Sequence, residues 1–410
     1  MRYFFVLGAN PALSAAEIAA VVGPDGIKAS ELSAQILVLE KDGLDNAALM
    51  KRLGGTVKIG RLIADGIDAS PDAVADIMYE KLCAAPRSRR LTFGYSIYDL
   101  GGSTRQTAAA LKNIGMEVKT RLKEAGLASR WVKGQGGPAL SSVVVVKNRL
   151  VEEGAEFVIL AAADRLLIGV TEAVQPFEDF SMHDYGRPSR DTVQGMLPPK
   201  LARMMINLAD APASGRIADP FCGSGTVVTE ALRLGYTLVA GSDKNPEAAD
   251  STSKNVEWLR RNESSVKGSA EIIVADARNL SGRLPADGID AVVTEPYLGP
   301  PRRGRETRGQ LQKTLSELAK LYGEALSSWH RLMKRDAVII MVLPIFVLGK
   351  EKHGLSGKEI AGRRYGLEPL LSPALASKLS EQVTKNGGLI YGRPDQLVWR
   401  EIIRLRKIEL

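Results

Sequence analysis

Residues 219–226 read Asp-Pro-Phe-Cys-Gly-Ser-Gly-Thr and follow the short apolar run Arg216–Asp219. About twenty residues later, Val239-Ala240-Gly241-Ser242 ends in Asp243, the acidic strand end expected of a nucleoside-binding α/β fold. A strand delivering a tight turn, with Gly223 and Gly225 free of a Cβ where a ligand approaches the backbone, and a helix opening at Thr226, is the reading this spacing supports. A dinucleotide fold places a third glycine where this chain has Val228, and no Gly-Lys-Ser/Thr is present to hold phosphates. A pyrophosphate is therefore a poor guest. The Asp219 carboxylate repels phosphate but suits an ammonium, as at the methionine end of S-adenosylmethionine, and Asp243 then takes ribose hydroxyls. The bland alternative is an ordinary strand-turn-helix connection.

The pattern around this loop extends over the second half of the chain. Expected helices at 201–208, 246–260 and 311–332 alternate with strands at 271–274, 290–294 and 337–343, which argues for a mostly parallel sheet with helices on both faces. Ligands of such sheets sit outside the carboxyl ends of the strands. Segments 388–391 and 398–405 are expected to close the sheet as an antiparallel hairpin. The first half reads as α+β: a strand at 3–7, a helix opened by a Ser14–Glu17 capping box, strands at 35–40 and 57–63 around a helix at 44–53, then a strand at 92–98 and a helix at 111–125. Strands are also expected at 141–146, 156–161 and 166–173, and an irregular stretch at 176–195.

The chain has 410 residues, and its 55 Lys and Arg against 47 Asp and Glu give a net charge of +8, which fits a polyanionic partner. Only Cys83 and Cys222 and three histidines are present, so neither a disulfide framework nor a Cys/His zinc cluster is expected. No apolar run approaches a membrane span, and a cytoplasmic, metal-free chain is the expectation.

Asp276 follows a strand where a carboxylate can accept an adenine amino group, with Ala277 beside it; the alternative is that Asp-Ala-Arg only caps the next turn. At the end of strand 290–294 comes Thr294-Glu295-Pro296-Tyr297. Tyr297 is placed to stack on a planar base, Glu295 to accept a proton from an exocyclic amine, and Pro296 to fix the backbone that aims them. Such chemistry needs positioning more than a nucleophile. Arg302, Arg303, Arg305 and Arg308 follow on the expected rim and suit phosphate contacts, or else form a solvated face. Lys147 and the basic face of 112–123 extend the positive surface in the first half. Cys222 reads as a small packing residue.

The Asp219–Thr226 loop, the segment Asp191–Ala202 with its Gly195-Met196-Leu197-Pro198-Pro199-Lys200 core, and the run Leu140–Asn148 together resemble the THUMP-containing RNA guanine N(2)-methyltransferases, in particular the tRNA guanosine-10 group. The resemblance implies a ferredoxin-like domain at 1–65, a THUMP-like RNA-binding domain at 66–175, a linker at 176–195, and a class I methyltransferase domain with a Rossmann-like sheet at 196–410. It further implies S-adenosylmethionine held by Asp219, Phe221, Gly223, Gly225, Thr226, Asp243, Asp276 and Ala277; catalytic Thr294, Glu295, Pro296 and Tyr297; and RNA contacts from Lys147, Arg302, Arg303 and Arg305. Expected partners are tRNA and a small activating protein subunit, with no membrane. The family's Asp-Pro-Pro-Tyr is altered here: either Thr294 stands in register for the Asp, or Glu295 replaces it with loss of one Pro. The alternatives are an amino-methyltransferase acting on ribosomal RNA or DNA adenine, and a catalytically silent RNA-binding protein that keeps the fold.

Overall fold

The computed structural model describes residues 1–23, 31–84, 90–134, 136–190 and 196–409. Asp191–Gly195, part of the motif quoted above and the end of the expected linker, lie outside them. The chain divides into two units, Met1–Pro11 with Val22–Pro176, and Ala12–Val21 with Phe177–Leu410.

In the first unit the strands are β1 (Arg2–Leu7), β2 (Glu31–Leu32), β3 (Ile36–Glu40), β4 (Thr56–Ile67), β5 (Leu91–Asp99), β6 (Ser129–Val132), β7 (Gly154–Ala161) and β8 (Leu166–Val174). They form one sheet in the order β2-β3-β1-β4-β8-β7-β5-β6. β4 runs across residue 65 and pairs antiparallel with β8, so one sheet carries strands from both expected N-terminal segments. The helices after α1 (Pro11–Val22) are α2 (Asn46–Arg52), α3 (Pro71–Cys83), α4 (Thr104–Ala110), α5 (Ile114–Glu124) and α6 (Ser142–Lys147). Phe93, Phe157 and Ile159 of the sheet meet Val74, Met78, Val118 and Leu122 of α3 and α5 in one core.

Local sequence misleads in three places. The valine run 143–146 reads as a strand but forms α6, because Ser141 caps it through Val144 N at 3.3 Å and Val145 is buried with Leu140 and Leu150. Packing here overrides the β-preference of valine. The 176–195 stretch was expected to be irregular, yet α7 (Phe177–Tyr185) forms, with Phe180 and His183 buried. His183 sits in an ionic knot, with Nε2 2.5 Å from Glu263 while Arg233 joins Asp179 at 2.6 Å, Glu230 at 2.9 Å and Glu263 at 2.9 Å. Finally, α1 starts at Pro11, which suits the first helical turn, so Ser14 and Glu17 lie inside the helix, both buried. Glu17 instead accepts from Asn207 Nδ2 at 2.7 Å.

The second unit continues through α8 (Pro199–Ala209), β9 (Arg216–Asp219), α9 (Thr226–Arg233), β10 (Leu238–Asp243), α10 (Pro246–Asn262), β11 (Ser269–Val274), β12 (Ile289–Thr294), α11 (Arg308–His330), β13 (Met333–Leu348), β14 (Glu351–Gly354), α12 (Gly357–Ala361), β15 (Tyr365–Glu368), α13 (Pro373–Lys378), β16 (Leu389–Tyr391) and β17 (Val398–Lys407). Its sheet runs β11-β10-β9-β12-β13-β17-β15. β9 to β13 are mutually parallel, and β17 is inserted antiparallel between β13 and β15. The order reverses between β9 and β12, where an open α/β sheet leaves a crevice at the strand ends. The expected closing hairpin is present as β16 against β17. A core led by Trp329, Tyr322, Leu318, Met341 and Ile403 seats α11 on the sheet.

Candidate functional site

Four strand ends, β9, β10, β11 and β12, open onto one cavity of about 740 Å³ in the second unit. Asp219, Phe221, Gly223, Thr226, Asp243, Asp276, Ala277, Glu295, Pro296 and Tyr297 all line it, which is ten of the twelve cofactor and catalytic candidates. Gly225 is not in its wall, and Thr294 lies one residue below it.

The loop after β9 is built by its glycines. Gly223 has φ +54° and an added Cβ there would meet nothing within 4 Å. Its N–H donates to Asp243 Oδ2 at 3.1 Å, which ties the loop to the end of β10. Gly225, with φ +82°, caps α9, and a Cβ there would fall 2.6 Å from Thr252 Cγ2. Thr252 in turn donates to Gly223 O at 2.8 Å. Gly223 thus leaves room for a ligand, whereas Gly225 leaves room for the protein's own α10. Thr226 is buried, its hydroxyl accepting from Arg187 Nη1 at 2.7 Å, so its side chain serves the loop.

Asp219 is 3% exposed. Thr294 Oγ1 and Phe221 N both donate to its Oδ1, at 2.6 and 3.2 Å. Burial pushes this carboxyl up to about 7, an effect that the Thr294 and Phe221 hydrogen bonds oppose and that Asp243 and Glu295 reinforce by repulsion. Asp243 also accepts from Asn245 N at 2.9 Å. Asp276 does both things expected of it as alternatives: it lines the cavity and caps the turn Ala277–Asn279, accepting from Arg278 N at 2.9 Å. The Arg278 guanidinium bonds both carboxylate oxygens and brings the group down to about 2. Ala277 is buried, and its carbonyl takes Trp329 Nε1 at 2.9 Å. Cys222, within the loop, is buried, and its Sγ accepts from Thr252 Oγ1 at 3.5 Å; burial pushes the pKa of the thiol up.

The Glu295–Tyr297 loop has an ordered backbone and one exposed ring. Tyr322 Oη donates to Tyr297 O at 2.7 Å, while the Tyr297 side chain is 48% exposed at the cavity. Glu295 pairs with Arg400 of β17, Nε to Oε1 at 2.5 Å and Nη2 to Oε2 at 3.3 Å. Arg400 and Val398, both lining the cavity, were not anticipated from the sequence. Arg400 is one of three charged residues in Val398–Leu405, with Glu401 and Arg404, so charge in this strand did not single it out.

The basic residues separate. Arg303 and Arg305 are exposed. Arg302 is not available in the same way: its side chain is 4% exposed, and Nη1 donates to Val347 O at 2.8 Å and Leu397 O at 2.6 Å, with the guanidinium over Phe346. Lys147 is exposed at the end of α6, in the first unit.

A parallel sheet with one reversed strand next to its end, a glycine loop at the switch point and acidic residues closing successive strands define a class I methyltransferase domain. Residues 187–345 match the model of the UPF0020 family, described as RMKL-like, methyltransferase domain. Over 153 residues the chain is 34% identical to the tRNA (guanine(10)-N2)-dimethyltransferase of Methanothermobacter thermautotrophicus, covering 37% of this chain and 40% of that protein. Over 161 residues it is 30% identical to the Type II methyltransferase M.TthHB8I of Thermus thermophilus, covering 36% and 33%. The alignments to the first two curated relatives span 40% and 43% of their lengths. Among solved structures, TrmN from Thermus thermophilus aligns over 100% of both chains with a TM-score of 0.54 at 15% identity, a likeness of fold.

Proposed function

We propose that this chain methylates the exocyclic N2 amine of a guanine in tRNA, with S-adenosylmethionine as the methyl donor. The observation that carries the reading is the continuity of one cavity from Asp219, Gly223 and Asp243 to Glu295, Pro296 and Tyr297. The residues suit the donor: Gly223 leaves an open cradle without a Cβ, and a buried carboxylate stands beside it. Asp219 would meet the methionine ammonium, Asp243 the ribose hydroxyls, and Asp276 with Ala277 the adenine. When bound, S-adenosylmethionine supplies an electrophilic sulfonium methyl: the C–N bond forms at the amine as the C–S bond breaks onto sulfur, and the amine proton leaves.

The protein's part is orientation. Pro296 and the Tyr322–Tyr297 hydrogen bond fix the loop, Tyr297 offers a stacking face worth about 1–3 kcal/mol, and Glu295 accepts from the amine. Holding the reactants aligned is where such a site lowers its barrier. The names of the tRNA-modifying relatives favour tRNA over other amines. Exposed Arg303, Arg305 and Lys147 would meet phosphates, with a THUMP-like role for residues 66–175. A small activating protein subunit and a cytoplasmic location belong to the same proposal; no helix among the described residues is long and apolar enough to cross a membrane.

The test is transfer of a labelled methyl group from S-adenosylmethionine to unmodified tRNA, followed by nucleoside mass spectrometry, with the chain alone and in a cell extract from which a subunit could be supplied. N(2)-methylguanosine or its dimethyl form is expected. Methyl on adenosine, or none with cofactor bound in either setting, would overturn the reading.

A further inference from the structure

We propose that Arg400 and Glu295 act together as the guanine-reading edge of the cavity, with Arg400 as a specificity-determining residue. This rests on the proposed reaction and adds to it the recognition of the base. Both side chains line the cavity beside Tyr297, and both are mostly buried, 15% and 14% exposed. Arg400 uses Nε and Nη2 on the two oxygens of Glu295, and its Nη1 has no protein partner among the described residues. Each carboxylate oxygen keeps a further lone pair. On its Nη2 side the pair therefore presents guanidinium N–H donors next to the outer lone pair of Glu295 Oε2.

Guanine's Watson–Crick edge is the complement: the O6 acceptor, then the N1–H and N2–H donors. Arg400 would donate to O6, while Glu295 Oε2 would accept from N1–H and one N2–H, leaving the amine's nitrogen directed away from the carboxylate. Adenine reverses the pattern at two positions, since its N6 amine would meet Arg400 and its N1 lone pair would meet Glu295. A site built around such groups rejects the wrong base because its own polar atoms are left unpaired. The alternative, that the pair only stabilises the fold, is weak on energetic grounds. A buried ion pair adds little over apolar packing, and here it faces open space instead of a core.

The register has a reason as well. Arg400 lies opposite Pro344 of β13 and Tyr391 of β16, in the antiparallel strand β17, whose alternation turns it to the cavity face. A carboxylate one position beyond Thr294, braced from that strand, supplies the acceptors that the first residue of an Asp-Pro-Pro-Tyr motif would otherwise bring.

The experiment maps the methylated position by mass spectrometry and places guanosine or 2-aminopurine riboside there in a tRNA transcript. 2-Aminopurine keeps the C2 amine but lacks O6 and N1–H. Wild-type kcat/KM should be about 100-fold or more lower on 2-aminopurine. R400Q should lower kcat/KM on guanosine about 10- to 100-fold more than on 2-aminopurine, so the preference collapses. Unchanged S-adenosylmethionine affinity shows that the variant is folded; if R400Q does not fold, R400K, which keeps the charge but not the fork, serves in its place. Equal loss on both bases, or a wild-type enzyme indifferent between them, overturns the proposal while N(2)-methylguanosine formation keeps the reaction. Methyl found on adenosine would overturn both.

Discussion

Thr294 Oγ1 donates to Asp219 Oδ1 across 2.6 Å, joining the ends of β12 and β9 at the bottom of the cavity. If Thr294 is the residue in register with the Asp of an Asp-Pro-Pro-Tyr pattern, an aspartate at this position would press a second carboxylate on a buried first. Thr294 instead gives Asp219 a donor. It bonds from outside the cavity wall and braces Asp219 at the start of the loop after β9, while Glu295 is the one of the two neighbours that lines the cavity.

Asp219, pushed up to about 7 by burial, makes the unliganded domain and its cofactor affinity pH-dependent in opposite directions. An aspartate ionises near 3.9 when unfolded, so between about pH 4 and 7 the folded state binds a proton that the unfolded state has lost. Its contribution to stability therefore falls as pH rises through that window, by at most about 1.4 kcal/mol per unit. A cationic ligand favours the charged form, so cofactor affinity should rise by up to about tenfold per unit and level off above about 7. Asp276, held at about 2 by Arg278, acts below this window. Calorimetric titration at pH 5.5 and 8, for wild type and Asp219→Asn, checks it: the slope should vanish in the variant, and an equal slope in both would remove Asp219 as its source.

The two glycines of the loop should fail differently. Gly225→Ala sets a Cβ 2.6 Å from Thr252 at φ +82°, and should lower stability by about 1–3 kcal/mol. Gly223→Ala meets no protein atom but enters the cradle at φ +54°, so it should cost about 1 kcal/mol of strain while cutting cofactor affinity tenfold or more. Urea denaturation beside calorimetry separates them. Loss of affinity in Gly225→Ala under conditions where it is fully folded would contradict this division.

What the sequence made legible was local. Asp219, Gly223 and Gly225 are fixed by the geometry of one turn, and Asp243 by the length of one helix and strand, so short-range spacing suffices. Arg400 was missed because it reaches Glu295 from β17, over a hundred positions away, and only the reversed strand's register turns it inward. Arg302 looked like a surface charge for the converse reason: the carbonyls of Val347 and Leu397 that capture it belong to distant segments. The valines of α6 show the same limit, since what decides between strand and helix there is the packing of Val145 with Leu140 and Leu150.

In the first unit, Lys58 of β4 pairs with Glu156 of β7, both fully buried. Lys58 Nζ also reaches Leu140 O at 2.7 Å, and Ser96 and Thr171 donate to Glu156 at 2.5 and 2.7 Å. Burial lowers the lysine's pKa against the pull of Glu156, so the pair is held by its partners and not by solvent. Lys58→Met should cost about 3–5 kcal/mol by stranding the carboxylate, and adding Glu156→Gln should recover most of it. Urea denaturation of the single and double variants measures this; a double variant no more stable than the single would point to the lysine's own contact with Leu140 as the larger contribution.

The arginine run 302–308 gives the last contrast, because neighbouring residues with the same charge are placed for opposite duties. Arg303 and Arg305 are exposed, and if they meet RNA phosphates each releases about one counterion on binding. Arg303→Glu and Arg305→Glu should weaken tRNA binding and flatten the slope of log K against log salt by about one per residue, with stability unchanged. Arg302→Ala should do the reverse. Its guanidinium ties two backbone carbonyls and covers Phe346, so its loss should lower stability by about 1–3 kcal/mol and leave the salt slope alone. Fluorescence anisotropy across a KCl series, paired with thermal unfolding, reads both quantities. A flattened slope for Arg302→Ala would mean that the inward guanidinium turns outward when RNA is bound, and an unchanged slope for the other two would return them to the solvated surface.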